Sequence, residues 1–206
     1  MPRGTSNKRA EGPTRRFQDQ DEWAAWLEKN HGKHPGIWLR IAKKDSLLES
    51  VSYPEAIETA LCYGWIDGQK RAESDKHWLQ RFLPRSPRSI WSKINCEKAT
   101  ALIKSGRMKP AGLAAIEQAK ASGRWERAYD SPARATVPED FQAALESSPK
   151  ASAFFAEIDG ANRYAILFRI QNAKKPETRT RKIQEFVQML ERGQKIHQPR
   201  RKASRK

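Results

Sequence analysis

A chain of 206 residues with seven Trp, seven Phe and 37% hydrophobic residues can bury a sizeable core, which excludes global disorder and bounds it at one domain or one and a half. Two cysteines, Cys62 and Cys96, exclude a disulfide framework and a paired-thiol metal site and fit a reducing compartment. The net charge of +16 turns attention to polyanionic partners, and no window of apolar residues is long enough to span a membrane.

That charge is unevenly placed. Residues 1–16 carry Arg3, Lys8, Arg9, Arg15 and Arg16 against Glu11, and residues 194–206 carry six Lys or Arg and no acid. Both ends read as disordered basic tails, whose contact with phosphates would release counterions. No apolar stretch follows the N-terminal charges, so no secretory signal is read and a cytoplasmic location is expected.

The body opens with a helix from Asp19, where acids in the first turn precede Trp23, Trp26 and Leu27 at helical spacing, with Gly32 as its stop. Ile37, Leu39 and Ile41 alternate over 37–44 and predict a strand. Ser52 and Glu55 form a capping-box pattern opening a helix to Tyr63, ended by Gly64. Strands over 66–73 and 76–83 would make a hairpin, and with 37–44 a small antiparallel sheet of about three strands. Asn95 is read as the N-cap of a helix from Cys96 to Ser105, and Pro110 opens another that Gly123 closes. Residues 124–136 look irregular and serve as connector. Thr136 to Glu139 reads as a further capping box before a short helix, and helices follow from Ser148-Pro149, Asp159-Gly160 and Pro176-Glu177. The expected fold is α+β and predominantly helical. It has an α+β domain over 17–123 and a C-terminal helical subdomain over 137–193.

Several blocks of wording then stand out: TALCYGWIDGQ, QRFLPRSPRSIWSKIN, VPEDFQAAL and NRYAILFRIQNAKKPETRTRKI. From about Phe17 to His197 the chain resembles the bacteriocin-protection family, also called YdeI/OmpD-associated. The resemblance implies a stress-resistance role in withstanding cationic antimicrobial peptides or bacteriocins in association with an outer-membrane porin. It also implies a periplasmic location, from which this chain departs by lacking a signal peptide. A basic protein would moreover repel cationic peptides.

Among the residues themselves, Arg81, Arg85, Arg88, Ser89, Ser92, Lys93 and Asn95 make the strongest candidate site. Guanidinium forks take phosphates or carboxylates bidentately, and Trp91 or Trp78 would stack a flat ligand. The competing reading has the serines and Asn95 capping turns and Trp91 in the core. Asp67, with Tyr63, Trp65 and Gln69 beside it, is either a ligand-binding cluster or turn chemistry. Lys174, Lys175, Arg179, Arg181 and Lys182 crowd the start of the last helix and mark an anion-binding edge unless they pair with Glu177 and Glu185. His31 and His34 lack further ligands for a metal, Cys62 reads as a buried thiol, and Cys96 after an N-cap has a route to a lowered pKa but, with no base in view, reads as structural. No nucleotide, P-loop, zinc-protease or nucleophile-elbow motif occurs, so no cofactor is expected.

The leading reading is a non-enzymatic protein that binds an anionic ligand or nucleic acid through residues 81–95, helped by its tails. The alternatives are an enzyme with a pocket near Asp67 and Arg81, and an adaptor whose C-terminal helices dock a protein partner.

Overall fold

The computed structural model describes residues 12–198, so most of both expected tails, residues 1–11 and 199–206, lie outside the described residues. The chain divides into two compact units. One runs up to Trp91 and resumes over Asn95–Ala128, and the other comprises Ser92–Ile94 and the chain from Tyr129 onward.

The first unit is built on a sheet of β1 (Thr14–Arg15), β2 (Ile37–Ala42), β3 (Trp65–Ala72) and β4 (His77–Pro84), in the order β1-β2-β4-β3. The hairpin and the central strand match the periodicity read above. The three-strand antiparallel expectation is corrected by β1, which runs parallel to β2. Two residues are too short to show a period. Thr14 and Arg15 fall inside the expected tail 1–16, and pairing of Pro13 O with Trp38 N at 2.9 Å, with Phe17 fully buried just beyond, draws them onto the sheet edge.

Register sorts the side chains into two faces. Ile37 opposite Phe82 and Leu39 opposite Gln80 face one way, and Trp38 opposite Arg81 faces the other. On the first face lie α1 (Gln20–Asn30) and α2 (Tyr53–Cys62). Trp23 of α1 meets Phe17, Trp65 and Phe82 at 5.0, 6.3 and 5.7 Å between ring centroids, and its indole N–H donates to Ala56 O of α2. Such an aromatic cluster supplies much of a domain's burial energy, roughly 3–5 kcal/mol for each full Trp side chain.

Local chemistry sets most helix ends. Asp19 caps α1 through Glu22 N, and Ser52 with Glu55 closes both halves of the capping box on α2. Gly64, at φ +70°, turns the chain out of α2 where a Cβ would meet Ala111 O at 2.8 Å. Two expected caps differ. The helix α3 (Lys93–Lys104) begins two residues before Asn95, because Lys93 N is already engaged by Tyr129 O at 2.9 Å. Thr136 caps nothing in α5 (Glu139–Glu146), whose N-cap position is Pro138 and has no side-chain cap. Pro110 opens α4 (Pro110–Ala121) as expected.

The second unit holds α5, α6 (Pro149–Glu157), α7 (Gly160–Gln171) and α8 (Pro176–Glu191) around Phe141, Phe155, Ile166, Ile170 and Leu190. Asp159 caps α7 through Asn162 N at 2.9 Å. Asn162 is itself buried and latches the chain after α8: its Oδ1 accepts from His197 N at 2.7 Å and its Nδ2 donates to His197 O at 3.2 Å. His197, inside the expected tail 194–206, is therefore held on this unit. No helix among the described residues is long and apolar enough to cross a membrane.

Candidate functional site

The face of the sheet turned away from α1 and α2 carries Trp38, Arg40, Arg71, Leu79 and Arg81, as register requires. No helix among the described residues covers this face, yet Trp38 is only 2% exposed. Two guanidinium groups lie over it, Arg71 at 4.4 Å and Arg81 at 5.8 Å from the ring centroid. Cation–π contact of this kind contributes about 0.5–2 kcal/mol and aligns the guanidinium without consuming its in-plane N–H groups. Arg40 on the same face is held by Glu73 in a two-pronged pair at 2.6–3.0 Å, which raises its own pKa and lowers that of Glu73. Arg81 has no ion pair among the described residues. The site is thus an aromatic floor under two cations, on a rigid sheet.

Arg71 reaches this face because β3 bulges. Pairing slips between Asp67 and Lys70, and Gln80, 3% exposed, turns its amide into the gap. Its Nε2 donates to Gly68 O at 3.0 Å and Gln69 O at 3.3 Å, standing in for the ladder donors that the bulge removes.

Of the residues singled out from sequence, Arg81 alone lies on this face. Asp67 pairs in register with Phe82 on the opposite face, where its Oδ2 accepts from Tyr53 O–H at 2.8 Å. Beside it Trp78 lies tilted against Tyr53 at 5.6 Å between centroids, under Lys70 at 4.2 Å. The proposed pairing of Asp67 with Arg81 around one pocket is therefore not what the sheet provides. Trp65 is a core residue whose indole donates to His31 O at 3.0 Å, and Gln69 contributes its carbonyl to Gln80. Arg85 stacks on buried Trp91 at 3.6 Å and donates to Ile90 O. Ser89 accepts from Ser86 N at 3.0 Å within a turn, and Ser92 bridges to Tyr129. Asn95 sits in the first turn of α3, and Lys93 is paired with Asp130 at 2.8 Å. The 81–95 stretch is mostly turn and packing chemistry, with one exposed arginine, Arg88, on its outside.

The basic run at the last helix separates likewise. Arg179 holds Asp140 through two bonds of 2.6 and 2.7 Å and also donates to Ile170 O, while Arg181 reaches Glu185 at 3.7 Å and Lys174 and Lys175 stay exposed. Arg179 pulls Asp140 below the ordinary carboxylate range, as Lys93 and Gln171 do Asp130. A carboxyl whose pKa is lower folded than unfolded stabilises above its unfolded value and loses that stabilisation as pH falls through the folded one. Asp140→Asn is therefore expected to cost about 1 kcal/mol or less at pH 7, since the pair is half-exposed. It should also make the fall in melting temperature between about pH 5 and pH 2 shallower, as measured by thermal denaturation across pH.

His31 and His34 are engaged within the fold. His31 Nδ1 meets Leu27 O, and His34 Nδ1 accepts from Gly36 N. Burial pushes the Cys96 thiol up to about 11, and α3 starts three residues before it. A polar cleft of about 380 Å³ beside Thr59, Tyr63 and Arg107 does not reach Asp67.

Sequence reasoning missed Trp38 and Arg71. The signal was present in the alternation of Ile37, Leu39 and Ile41, which sends Trp38 to the other side.

Two family models match the chain. Residues 134–193 match the model described as bacteriocin-protection, YdeI or OmpD-associated, and residues 15–115 match a separate model described as a domain of unknown function (DUF8412). The resemblance read over Phe17 to His197 is thus matched over the C-terminal part, 134–193, while TALCYGWIDGQ and QRFLPRSPRSIWSKIN fall wholly under the second model. No curated protein matches, and no solved structure does.

Proposed function

We propose that this chain, which carries the bacteriocin-protection, YdeI or OmpD-associated segment over residues 134–193, acts without catalysis by binding a polyanion, nucleic acid being the class its first unit suits. The observation that supports this reading is Arg81, without a carboxylate partner among the described residues, stacked with Arg71 on Trp38. The Arg81 guanidinium over the indole keeps N–H groups that can meet a phosphate, and Arg71 adds positive charge beside it. Trp38 beneath can accept a base if one guanidinium swings aside, as in aromatic platforms for single strands. The excess of basic residues in 1–16 and 194–206 adds non-specific attraction.

The test is fluorescence anisotropy with a labelled single-stranded oligothymidylate across a salt series. Affinity is expected to fall steeply with salt, and Arg71→Ala with Arg81→Ala to lower it about tenfold while reducing the slope of log K on log salt by about 2. Binding that ignores salt, or that the double substitution leaves unchanged, would sink the reading. Loss only on removal of 1–11 and 199–206 would move the site to the tails.

A further inference from the structure

A pocket of about 520 Å³ opens along α7 in the second unit. Its walls are apolar and aromatic, with Pro132, Ala161, Ala165 and Phe168 joined by the ring of Tyr164. Arg169 and His197 border it, and no carboxylate side chain lines it among the described residues.

The walls are held from three directions. Tyr164 O–H donates to Asp130 O at 2.9 Å, which ties α7 to the segment leading to Pro132. Phe168 sits edge-on to Tyr129 at 5.0 Å. On the remaining side, buried Asn162 grips both backbone polar groups of His197 and so sets that imidazole at the pocket. Arg169 Nη1 donates to Ala165 O at 2.8 Å, which keeps the guanidinium against α7 beside the apolar wall, and it makes no ion pair among the described residues.

Volume, apolar lining and a few fixed polar groups are the composition of a small-molecule site. A cation at the rim with no carboxylate beside it sets the sign of what enters: a cationic ligand would be repelled, and an acid group would meet a charge-assisted donor. We infer that this pocket binds a small amphipathic anion, an apolar or aromatic body carrying one carboxylate or sulfonate. The body lies against Phe168 and Tyr164, and the acid group is held by Arg169 with His197. The site lies wholly in the second unit and stands independently of the sheet face.

Two dyes with one aromatic body test this on the full chain: 8-anilino-1-naphthalenesulfonate, and N-phenyl-1-naphthylamine, which lacks the sulfonate. Both should bind saturably to one site, the sulfonate more tightly. Ala161→Trp fills the pocket from an exposed lining position and should abolish both. Gly160→Phe serves as a second filler, since a Cβ there meets nothing within 4 Å. Arg169→Gln should weaken the sulfonate about tenfold and leave the uncharged dye within about twofold. Three outcomes would overturn the inference: native protein that binds neither dye, binding that a correctly folded filler variant does not reduce, or an Arg169→Gln loss equal for both dyes.

Discussion

Gly112→Ala is expected to lower the melting temperature of the first unit by roughly 8–15 °C, although it adds a single methyl group. The first turn of α4 lies against the last turn of α2, and a Cβ on Gly112 would collide with Met108 Sδ and Cys62 O and sit 2.8 Å from Leu61 O. The methionine can swing away, but the two carbonyls cannot. Leu61 O accepts from Gly64 N at 3.1 Å and Cys62 O from Lys109 N at 3.2 Å, so both are fixed by the turn that ends α2 and the residue that opens α4. Relief must come from moving the whole of α4, which carries buried Ile116 and Ala119 into the core. Overpacking without a compliant neighbour costs about 1–3 kcal/mol, and here the displaced interface adds to it. Gly160→Ala is the matched control, because its Cβ would enter open space. Calorimetry in which Gly112→Ala melts within about 2 °C of the native chain would show that α4 slides freely, contrary to this account.

Gly112 also marks where reading the sequence stops. Elements whose cause is local were legible: the Ser52–Glu55 capping box, the Asp159 cap, Pro110 at the head of α4 and the alternation of β2 all follow from neighbours within a few residues. What depends on a partner distant in the chain was not. Thr14–Arg15 become a strand only because Trp38 N lies opposite Pro13 O, and α3 begins at Lys93 because of Tyr129. The residues of the candidate site are dispersed for a related reason. Arg85, Ser89 and Trp91 form a conspicuous cluster by composition, but composition cannot tell a guanidinium that donates to a carbonyl of its own turn, as Arg85 does to Ile90 O, from one offered to a ligand. Arg81 could be picked out as basic, whereas its company with Arg71 and Trp38 required the strand order β2-β4-β3 and the bulge between them. His197, in a stretch read as tail, is fixed by Asn162, 35 residues away.

Gln80→Leu is the substitution that joins this fold to its proposed function. The side chain is buried on the face packed by α1 and α2, so hydrophobicity alone would favour leucine, a residue of similar size. The hydrogen bonds argue the opposite. Leucine leaves Gly68 O and Gln69 O without the amide that now reaches them, and at these two exposed residues water replaces part of what is lost. A net loss of about 1–2 kcal/mol is expected, because the lost hydrogen bonds outweigh the gain from burying an aliphatic group. The functional effect follows from register. Arg71 stands opposite Leu79, on the Trp38 face, only after β3 has made its slip between Asp67 and Lys70. Releasing the bulge frees that slip, so Arg71 no longer holds its place over the indole and oligothymidylate affinity should fall about fivefold at a temperature well below melting. Phe141→Leu supplies the comparison, since Phe141 is fully buried in the second unit, and its loss should destabilise without weakening the oligonucleotide. If Gln80→Leu melts early yet binds normally, the bulge is a folding device and the two arginines reach Trp38 without it. If it melts with the native chain, the carbonyls have found other donors and the bulge does not depend on Gln80.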